Sequence, residues 1–280
     1  MIAGALPLRA LGLGLSMALL QFAIGATNDV VDAPHDRGRV PPKPIPAGKI
    51  GPRQALGVAV VCGLAGLVLA TLVGPGAADP PGATLALVLL GGVVLLIGLA
   101  YDVRAKGTPL SWLPFAVGLP LLPVYGWLGA VGELPALFAI VVPIAFLEGA
   151  ALAIANARAD LERDRLAGVR SVATWLGDVA GGRLGLVLQA GVGLLAVLSA
   201  AWLGVGRAAL ILVLVASILP AAGSILGLPA GSVPGLPHVR GVDGRAERAR
   251  RARSWEVQAI GAALLSAAWL WAAASAGSLG

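Results

Sequence analysis

The chain alternates long apolar stretches with shorter polar segments. No charged side chain occurs in residues 10–27, 54–74, 83–101, 109–129, 184–204, 208–228 or 257–275. An eighth stretch, 135–157, carries only Glu148. Each stretch is long enough for a helix to cross the roughly 30 Å of bilayer hydrocarbon. The runs are continuous rather than alternating, which excludes barrel strands, so the pattern predicts an all-α integral membrane protein with eight transmembrane helices.

Composition supports one membrane domain over residues 1–280. Hydrophobic residues make up 58% of the chain and charged residues 12%, and the mean hydropathy is +0.90. We expect no separate soluble domain. The first apolar stretch exceeds a typical signal-peptide core and lacks a clear cleavage site, so we interpret it as a true span. The single cysteine, Cys62, lies inside an apolar stretch and has no partner for a disulfide within the chain.

Basic residues are distributed very unevenly between the loops. Apart from Arg9 and Arg207, every Lys and Arg lies in residues 28–53, 102–108, 158–183 or 229–256, which are alternate loops. The positive-inside rule therefore predicts that these loops are cytoplasmic and that both termini lie outside. The excess of Arg over Lys suggests a GC-rich bacterial genome, so the expected location is a bacterial plasma membrane. Residues 229–254 are interpreted as a flexible connector that ends in a solvated or lipid-facing Arg run.

Two acidic clusters follow apolar stretches on the predicted cytoplasmic side. The first holds Asn28, Asp29, Asp32 and Asp36, and the second holds Asn156, Asp160, Glu162 and Asp164. Both contain an Asn-x-x-x-Asp-x-x-x-Asp spacing, and residues four apart share a helix face. Each cluster would therefore direct one amide and two carboxylates the same way. Pro34 is expected to interrupt or bend the first helix and to displace its last carboxylate.

The composition of the clusters indicates a magnesium–diphosphate site. Carboxylate and amide oxygens suit Mg²⁺, which also accepts substrate phosphate oxygens. The candidate metal ligands are Asn28, Asp29, Asp32, Asp36, Asp160 and Asp164. Side chains on the same predicted face would bind the outer diphosphate oxygens; the candidates are Asn28, Arg37, Lys43, Arg104, Lys106, Asn156 and Arg163. We expect both clusters to hold a shared divalent cation. The alternative is that each Asp caps a helix or pairs with a neighbouring Arg.

Four segments, in order, carry a resemblance to a known family. The sequence Asn28-Asp29-x-x-Asp32-x-x-x-Asp36 resembles the first acidic signature of the UbiA superfamily of intramembrane prenyltransferases, and Asp160-x-x-x-Asp164 resembles the second. Residues 43–50 are similar to the family's basic-Pro-x-x-x-Gly segment, and residues 168–177 to the segment after the second signature. The resemblance covers nearly the whole chain.

The resemblance implies a helical bundle around a central cavity, capped by cytoplasmic loops. It implies Mg²⁺-dependent transfer of an isoprenyl group from a polyprenyl diphosphate to a small hydrophobic or aromatic acceptor, as in quinone-type biosynthesis. The chain departs from the family in two places. One span, rather than the usual two, precedes the first signature, as if the first helix were lacking. Lys106 lies one position later than in the family's Tyr-x-x-x-Lys, so both Arg104 and Lys106 are candidates for the basic position.

Six residues are predicted to take part in catalysis. They are Asp32, Asp36, Asp160 and Asp164 with the metal, Tyr101 and Glu148. The ring of Tyr101 could shield an allylic cation, although an interfacial belt position is the alternative. A charge at bilayer depth costs about 2.5–3.5 kcal/mol, so charged residues there usually have a function. Glu148 is therefore predicted to orient or deprotonate the acceptor. Its alternative is a protonated carboxyl that is hydrogen-bonded between helices.

Two other classes of membrane protein remain open. A CDP-alcohol phosphotransferase would carry its acidic motif in a single block, whereas this chain has a second, distant cluster. A cation-coupled transporter would place its carboxylates at mid-membrane, but most of these lie at the ends of spans. The expected partners are the lipid bilayer, a polyprenyl diphosphate and its acceptor, with no role for nucleic acid. The oligomeric state is left open.

Overall fold

A computed structural model describes residues 6–38, 41–75, 80–229 and 244–277. In chain order its helices are α1 (Pro7–Asp32), α2 (Pro52–Val73), α3 (Ala83–Ala100), α4 (Leu113–Val131), α5 (Phe138–Ala159), α6 (Leu161–Leu166), α7 (Val172–Leu176), α8 (Asp178–Trp202), α9 (Arg207–Leu226) and α10 (Gly244–Ser275). A π-helical turn, Tyr101–Ala105, continues α3. All the regular structure in the described residues is helical.

The predicted number of membrane spans is confirmed. Within the described ranges, eight helices are long and apolar enough to cross a bilayer: α1, α2, α3 with its π turn, α4, α5, α8, α9 and α10. Helices α1 and α2 both begin at a proline, where the missing N–H costs no helical hydrogen bond. The short helices α6 and α7 lie in the polar segment between α5 and α8.

The interpretation of residues 229–254 as a flexible connector is wrong from Gly244 onward, and the solvated or lipid-facing interpretation of the Arg run is wrong for Arg251. Helix α10 already begins at Gly244, so the Arg run is helical; residues 230–243 lie outside the described part of the chain. Arg251 is only 2% exposed and forms ion pairs with Glu162 and Asp178. It is therefore neither solvated nor lipid-facing. An arginine-rich sequence indicates a surface segment, and only the structure shows that carboxylates pair with one of these arginines inside the protein.

The chain divides into two compact units. The first comprises residues 3–106 and 121–134, and the second comprises residues 107–120 and 135–280, so α4 contributes to both. In the first unit, Leu13, Leu87 and Tyr125 belong to one buried cluster. Ser16 is completely buried, donates its hydroxyl to Gly66 O (2.7 Å) and shares a 2.6 Å hydrogen bond with the Tyr125 hydroxyl. These polar contacts join α1, α2 and α4 inside an apolar environment.

The second unit is built on α5, α8, α9 and α10. Its buried core includes Val192, Val213 and Trp269, and the Trp269 indole N–H donates to Ser199 Oγ at 2.9 Å. A Cβ on Gly149 would lie 2.6 Å from the Phe115 carbonyl oxygen. Because glycine occupies that position, α5 packs directly against the start of α4. This packing fixes the membrane-embedded part of α5, whose last turn leads into the second acidic cluster.

Candidate active site

The first acidic cluster lies where α1 ends. The helix stops at Asp32, and the backbone N–H groups of His35 and Asp36 both donate to the Asp32 carbonyl at 2.9 Å. Pro34 therefore lies in a turn after the helix, as the predicted interruption requires. The Asp36 side chain is nevertheless 3% exposed and turned inward. The turn thus keeps the last carboxylate of the cluster close to the others.

The Lys43 ammonium lies within 4.0 Å of three carboxylates of the first cluster. Its Nζ lies 2.9 Å from Asp29 Oδ1, 2.7 Å from Asp36 Oδ2 and 4.0 Å from Asp32 Oδ2. The backbone after Lys43 forms a tight turn that requires a positive φ of 71° at Gly48. This turn, within the segment that resembles the family's basic-Pro-x-x-x-Gly element, supplies a cation to the end of α1.

The charge on Lys43 is maintained by its carboxylate partners. Partial burial lowers the pKa of the ammonium, but hydrogen bonds to Asp29 and Asp36 and the charges of both raise it, so the net pKa lies above its usual value. The group is therefore protonated at neutral pH. A protonated ammonium with three carboxylates around it shows that these oxygens can surround a single cation.

Lys106 occupies the other side of the same cluster. Its Nζ donates to Asn28 Oδ1 at 2.9 Å and forms an ion pair with Asp32. The Lys106 N–H bonds to the Tyr101 carbonyl at 3.0 Å, five residues back, which defines the π turn. A π turn absorbs one extra residue without rotating the residues after it. Lys106 therefore reaches the cluster despite its late position, whereas Arg104 is exposed and forms no ion pair with any described residue.

Asp102, which no sequence motif indicated, belongs to the same region. The residue is 4% exposed, and Lys106, Asp32 and Asp29 are the charged groups that act on it. Its Oδ2 atom has no hydrogen-bond partner among the described residues. A carboxylate directly after Tyr101, at the end of an apolar span, was the available signal. Asp102 adds a further oxygen donor to the first cluster.

The second acidic cluster is not a continuous helical stripe, so that prediction is wrong. Helix α5 ends at Ala159, Asp160 has φ −99° and ψ 5°, and α6 begins at Leu161. Those angles fall in the sparsely allowed bridge region, which breaks the helix. Leu161 is completely buried and anchors the new helix. The Asp164 N–H still donates to the Asp160 carbonyl at 2.9 Å, which keeps the two aspartates one turn apart.

Local partners hold both aspartates of the second cluster. Asp160 pairs with Arg163 at 2.9 Å, and both side chains are more than a third exposed. Asp164 accepts a 2.7 Å hydrogen bond from the Ser171 hydroxyl, a residue that sequence analysis did not single out. Asn156 is half-buried on the last turn of α5. The Asp160–Arg163 pair is the neighbouring-Arg arrangement that was left open as an alternative.

Glu148 lies inside the second unit and bonds to a neighbouring helix. The residue is 6% exposed, and its Oε1 accepts a 2.9 Å hydrogen bond from Gln189 Nε2 on α8. The same Gln189 nitrogen lies 3.4 Å from Gln258 Oε1 on α10. These contacts support the interhelical alternative. A role for Glu148 with the acceptor stays a prediction.

The remaining candidates are more exposed. Arg37 is solvent-exposed without an ion pair to any other described residue, and Tyr101 is half-buried at the start of the π turn. None of the described His, Cys, Asp and Glu side chains form a preassembled group of three or more in metal-ligand geometry. The first cluster is arranged around the lysine ammonium groups instead. Its donor set, carboxylate and amide oxygens only, fits Mg²⁺ chemically.

Comparison with known proteins decides the family. The sequence profile of the UbiA prenyltransferase family matches residues 3–228. This chain belongs to the UbiA prenyltransferase family. The UbiA-family chain is also 30% identical over 209 residues to the digeranylgeranylglyceryl phosphate synthase of Methanopyrus kandleri, a match that covers 71% of this chain and 72% of the relative.

Solved structures of UbiA homologues share its fold. An apo UbiA homologue from Aeropyrum pernix K1 matches with a TM-score of 0.68 at 19% identity, covering 95% of this chain and 91% of that one. A UbiA homologue from Archaeoglobus fulgidus, bound to DMAPP and Mg²⁺, matches with a TM-score of 0.62 at 22% identity, covering 94% and 90%. The family resemblance and the prenyltransferase class are thereby confirmed. The phosphotransferase and transporter alternatives are not favoured.

Proposed function

We propose that this UbiA-family enzyme transfers an isoprenyl group from a polyprenyl diphosphate to a small hydrophobic or aromatic acceptor, with Mg²⁺ as cofactor. The observation that carries the proposal is the set of three carboxylates around Lys43 at the end of an apolar helix. The Archaeoglobus fulgidus homologue that binds DMAPP and Mg²⁺ supports the donor and the metal. The Methanopyrus kandleri relative supports an isoprenoid product.

The candidate metal ligands of this proposal are oxygen donors of the two clusters, each taken by itself. In the first these are Asn28, Asp29, Asp32 and Asp36, and in the second Asp160 and Asp164. Bound Mg²⁺ supplies Lewis-acid stabilisation of the departing diphosphate charge. Repulsion between carboxylates and phosphate makes such a cation necessary, because the two anions cannot bind each other directly. Asp102 is an additional donor at the first cluster.

Basic side chains of this chain would bind the diphosphate itself. An ammonium has three donors, so Lys43 and Lys106 can keep a carboxylate contact and still donate to a phosphate oxygen. Lys106, rather than Arg104, fills the basic position after Tyr101 in this proposal, because Lys106 contacts Asn28 and Asp32. Arg37, Arg163 and Asn156 are further candidates for the outer oxygens.

The reaction breaks the allylic carbon–oxygen bond of the donor. The electron pair leaves with the diphosphate, the acceptor forms a bond to the allylic carbon, and the acceptor loses a proton. Groups that stabilise the leaving charge therefore accelerate the slow step. The Tyr101 ring would shield the allylic carbon from water and stabilise its positive charge. Apolar surroundings prevent water from capturing that carbon first.

The site would face the cytoplasm, with both chain termini outside. Support comes from the distribution of Lys and Arg, which concentrates in the loops that hold the two clusters. A bacterial plasma membrane and an acceptor of the quinone-precursor type remain part of the proposal. Cysteine introduced next to each cluster and labelled with an impermeant maleimide in sealed inverted vesicles would test the orientation.

The test of the function is a membrane assay. Membranes containing the protein receive a radiolabelled prenyl diphosphate and a panel of aromatic and hydrophobic acceptors, with Mg²⁺ or with EDTA. We expect Mg²⁺-dependent transfer to one acceptor class. The matched control is Arg207→Gln, which removes an exposed charge far along the chain from both clusters and should remain active. A protein that consumes no prenyl diphosphate under any condition would contradict the proposal.

A further inference from the structure

Arg251 of α10 joins two carboxylates that come from different parts of the second unit. The side chain is 2% exposed, its Nη1 donates to Asp178 Oδ2 at 3.0 Å, and its Nη2 pairs with Glu162. Glu162 lies on α6 and Asp178 begins α8. Residue 251 lies beyond residues 3–228, the part of the chain that the family profile matches.

A second buried guanidinium completes the same network. Arg158, 4% exposed on the last turn of α5, donates from Nε (3.1 Å) and Nη2 (2.8 Å) to Asp178 Oδ1. Its Nη2 also donates to the Gly227 carbonyl at 2.7 Å. Removing one partner of a buried ion pair leaves an uncompensated charge, so such networks are costly to break. The network therefore fixes the ends of α5, α8 and α10 to one another.

Glu162 is the point at which this network reaches the second acidic cluster. It stands between Asp160 and Asp164 on α6, a helix of only six residues. A helix that short is not stable by itself and depends on tertiary contacts. The hydrogen bond from the Ser171 hydroxyl to Asp164 ties α6 to the adjacent chain. Arg251 ties it to an element 89 residues away along the sequence.

We propose that Arg251 is a positioning residue for the second acidic cluster. By holding Glu162, it sets the orientation of α6 and hence of Asp160 and Asp164. Glu162 is thereby committed to a structural ion pair and is not one of the metal-binding carboxylates. This inference rests on the proposed function, because it assigns Asp160 and Asp164 to the metal and diphosphate.

The geometry specifies arginine rather than lysine at this position. A planar guanidinium presents separate N–H groups in fixed directions, so one side chain can bind Asp178 and Glu162 at once. A lysine has one nitrogen on a flexible stem and would hold the two carboxylates less firmly. Arg251→Lys keeps the charge but loses the fixed bridge, which separates the effect of positioning from the effect of charge.

The experiment compares Arg251→Met and Arg251→Lys with the matched control Arg253→Gln. Arg253 is exposed on the same turn of α10, so its loss should change little. The first measurement is hydrogen–deuterium exchange of residues 161–166 in nanodiscs, without substrate. We expect faster exchange in Arg251→Met, an intermediate rate in Arg251→Lys, and the wild-type rate in the control.

The second measurement is the Mg²⁺ concentration that gives half-maximal prenyl transfer. Outer contacts that orient metal ligands are worth about 10- to 100-fold in metal affinity, so we expect a rise of at least about tenfold in Arg251→Met. The KM for the acceptor should change much less. Glu162→Gln should also raise the Mg²⁺ requirement. Adding it to Arg251→Met should have little further effect, because Arg251→Met has already removed the Arg251–Glu162 contact.

The two readouts separate this inference from the proposed function. Wild-type exchange in both Arg251 variants would overturn the positioning role, whatever the activity. A wild-type protein without transferase activity would refute the proposed function. The hydrogen–deuterium exchange rate of α6 would still show whether Arg251 positions that helix. Should Arg251→Met fail to fold, Arg251→Lys and Glu162→Gln carry the test, and an unchanged α6 in both of those variants overturns the inference.

Discussion

The two acidic clusters share a spacing in the sequence but are organised differently in the structure. In the first, the carboxylates are brought together by Lys43 and Lys106, two cations from other parts of the chain. In the second, Asp160 bonds to Arg163 and Asp164 to Ser171, while Glu162 pairs with the distant Arg251. A repeated pattern of carboxylates therefore predicts the chemistry of a site but not the way in which the fold supports it.

The largest effect is expected from removing one carboxylate of either cluster. Asp32→Asn and Asp160→Asn keep the side-chain shape but remove the negative charge that the proposal assigns to metal binding. We expect each to lower turnover by about 100- to 1,000-fold, the range for losing one electrostatic stabiliser of a transition state. Turnover per inserted protein is the measurement. If only one of the two variants were impaired, the clusters would not serve the same reaction.

The next effect separates the two basic candidates after Tyr101. Lys106→Met removes the contacts to Asn28 and Asp32, and we expect it to reduce kcat/KM for the prenyl diphosphate by about 100-fold. Arg104→Met, which removes an exposed side chain, should stay within about twofold of wild type, as surface substitutions usually do. The reverse ranking in the same assay would assign the basic position to Arg104.

A deletion tests whether the π turn compensates for the late lysine. Removing Val103 would shorten the turn to an ordinary α-helical one, with the lysine four residues after Tyr101 and still facing the cluster. Activity should remain within about tenfold of wild type, since the register of the subsequent residues is retained. The control deletes Leu96 inside α3, which rotates everything after it. Equal loss of activity in both deletions would refute the compensation.

The smallest effect is expected at Glu148 in the second unit. Glu148→Gln can preserve the contact with Gln189, so activity should stay within about threefold, consistent with an interhelical hydrogen bond. Glu148→Leu, which cannot form it, should lower the thermal stability of the detergent-solubilised protein. A 100-fold loss of turnover in a stably folded Glu148→Gln protein would instead support the predicted role with the acceptor.

The sequence predicted those features that depend on local composition. Eight apolar stretches predict eight spans because length and lack of charge suffice for a helix in lipid. Asp32, Asp36 and Lys43 were identified because oxygen donors and a cation beside a span have few other uses. The basic residue after Tyr101 could be narrowed to Arg104 and Lys106, but the spacing did not decide between them.

Other features depend on the backbone or on distant partners. The π turn at Tyr101 and the break at Asp160 are choices of backbone angle that residue spacing alone does not reveal. The burial of Arg251 depends on Glu162 and Asp178, which are far away in the sequence. Without those partners, an arginine-rich stretch is indistinguishable from a solvated one. The sequence therefore did not supply the local breaks in helix geometry or the pairwise contacts over long separations.

The most direct test of the central claim is the release of labelled diphosphate from a prenyl diphosphate by the purified protein in nanodiscs. Mg²⁺ is titrated in the wild type and in Asp32→Asn, with an EDTA control. The account predicts release that saturates with Mg²⁺ in the wild type and that is lost with EDTA or with Asp32→Asn. Release that is independent of Mg²⁺, or that is undiminished in Asp32→Asn, would contradict it.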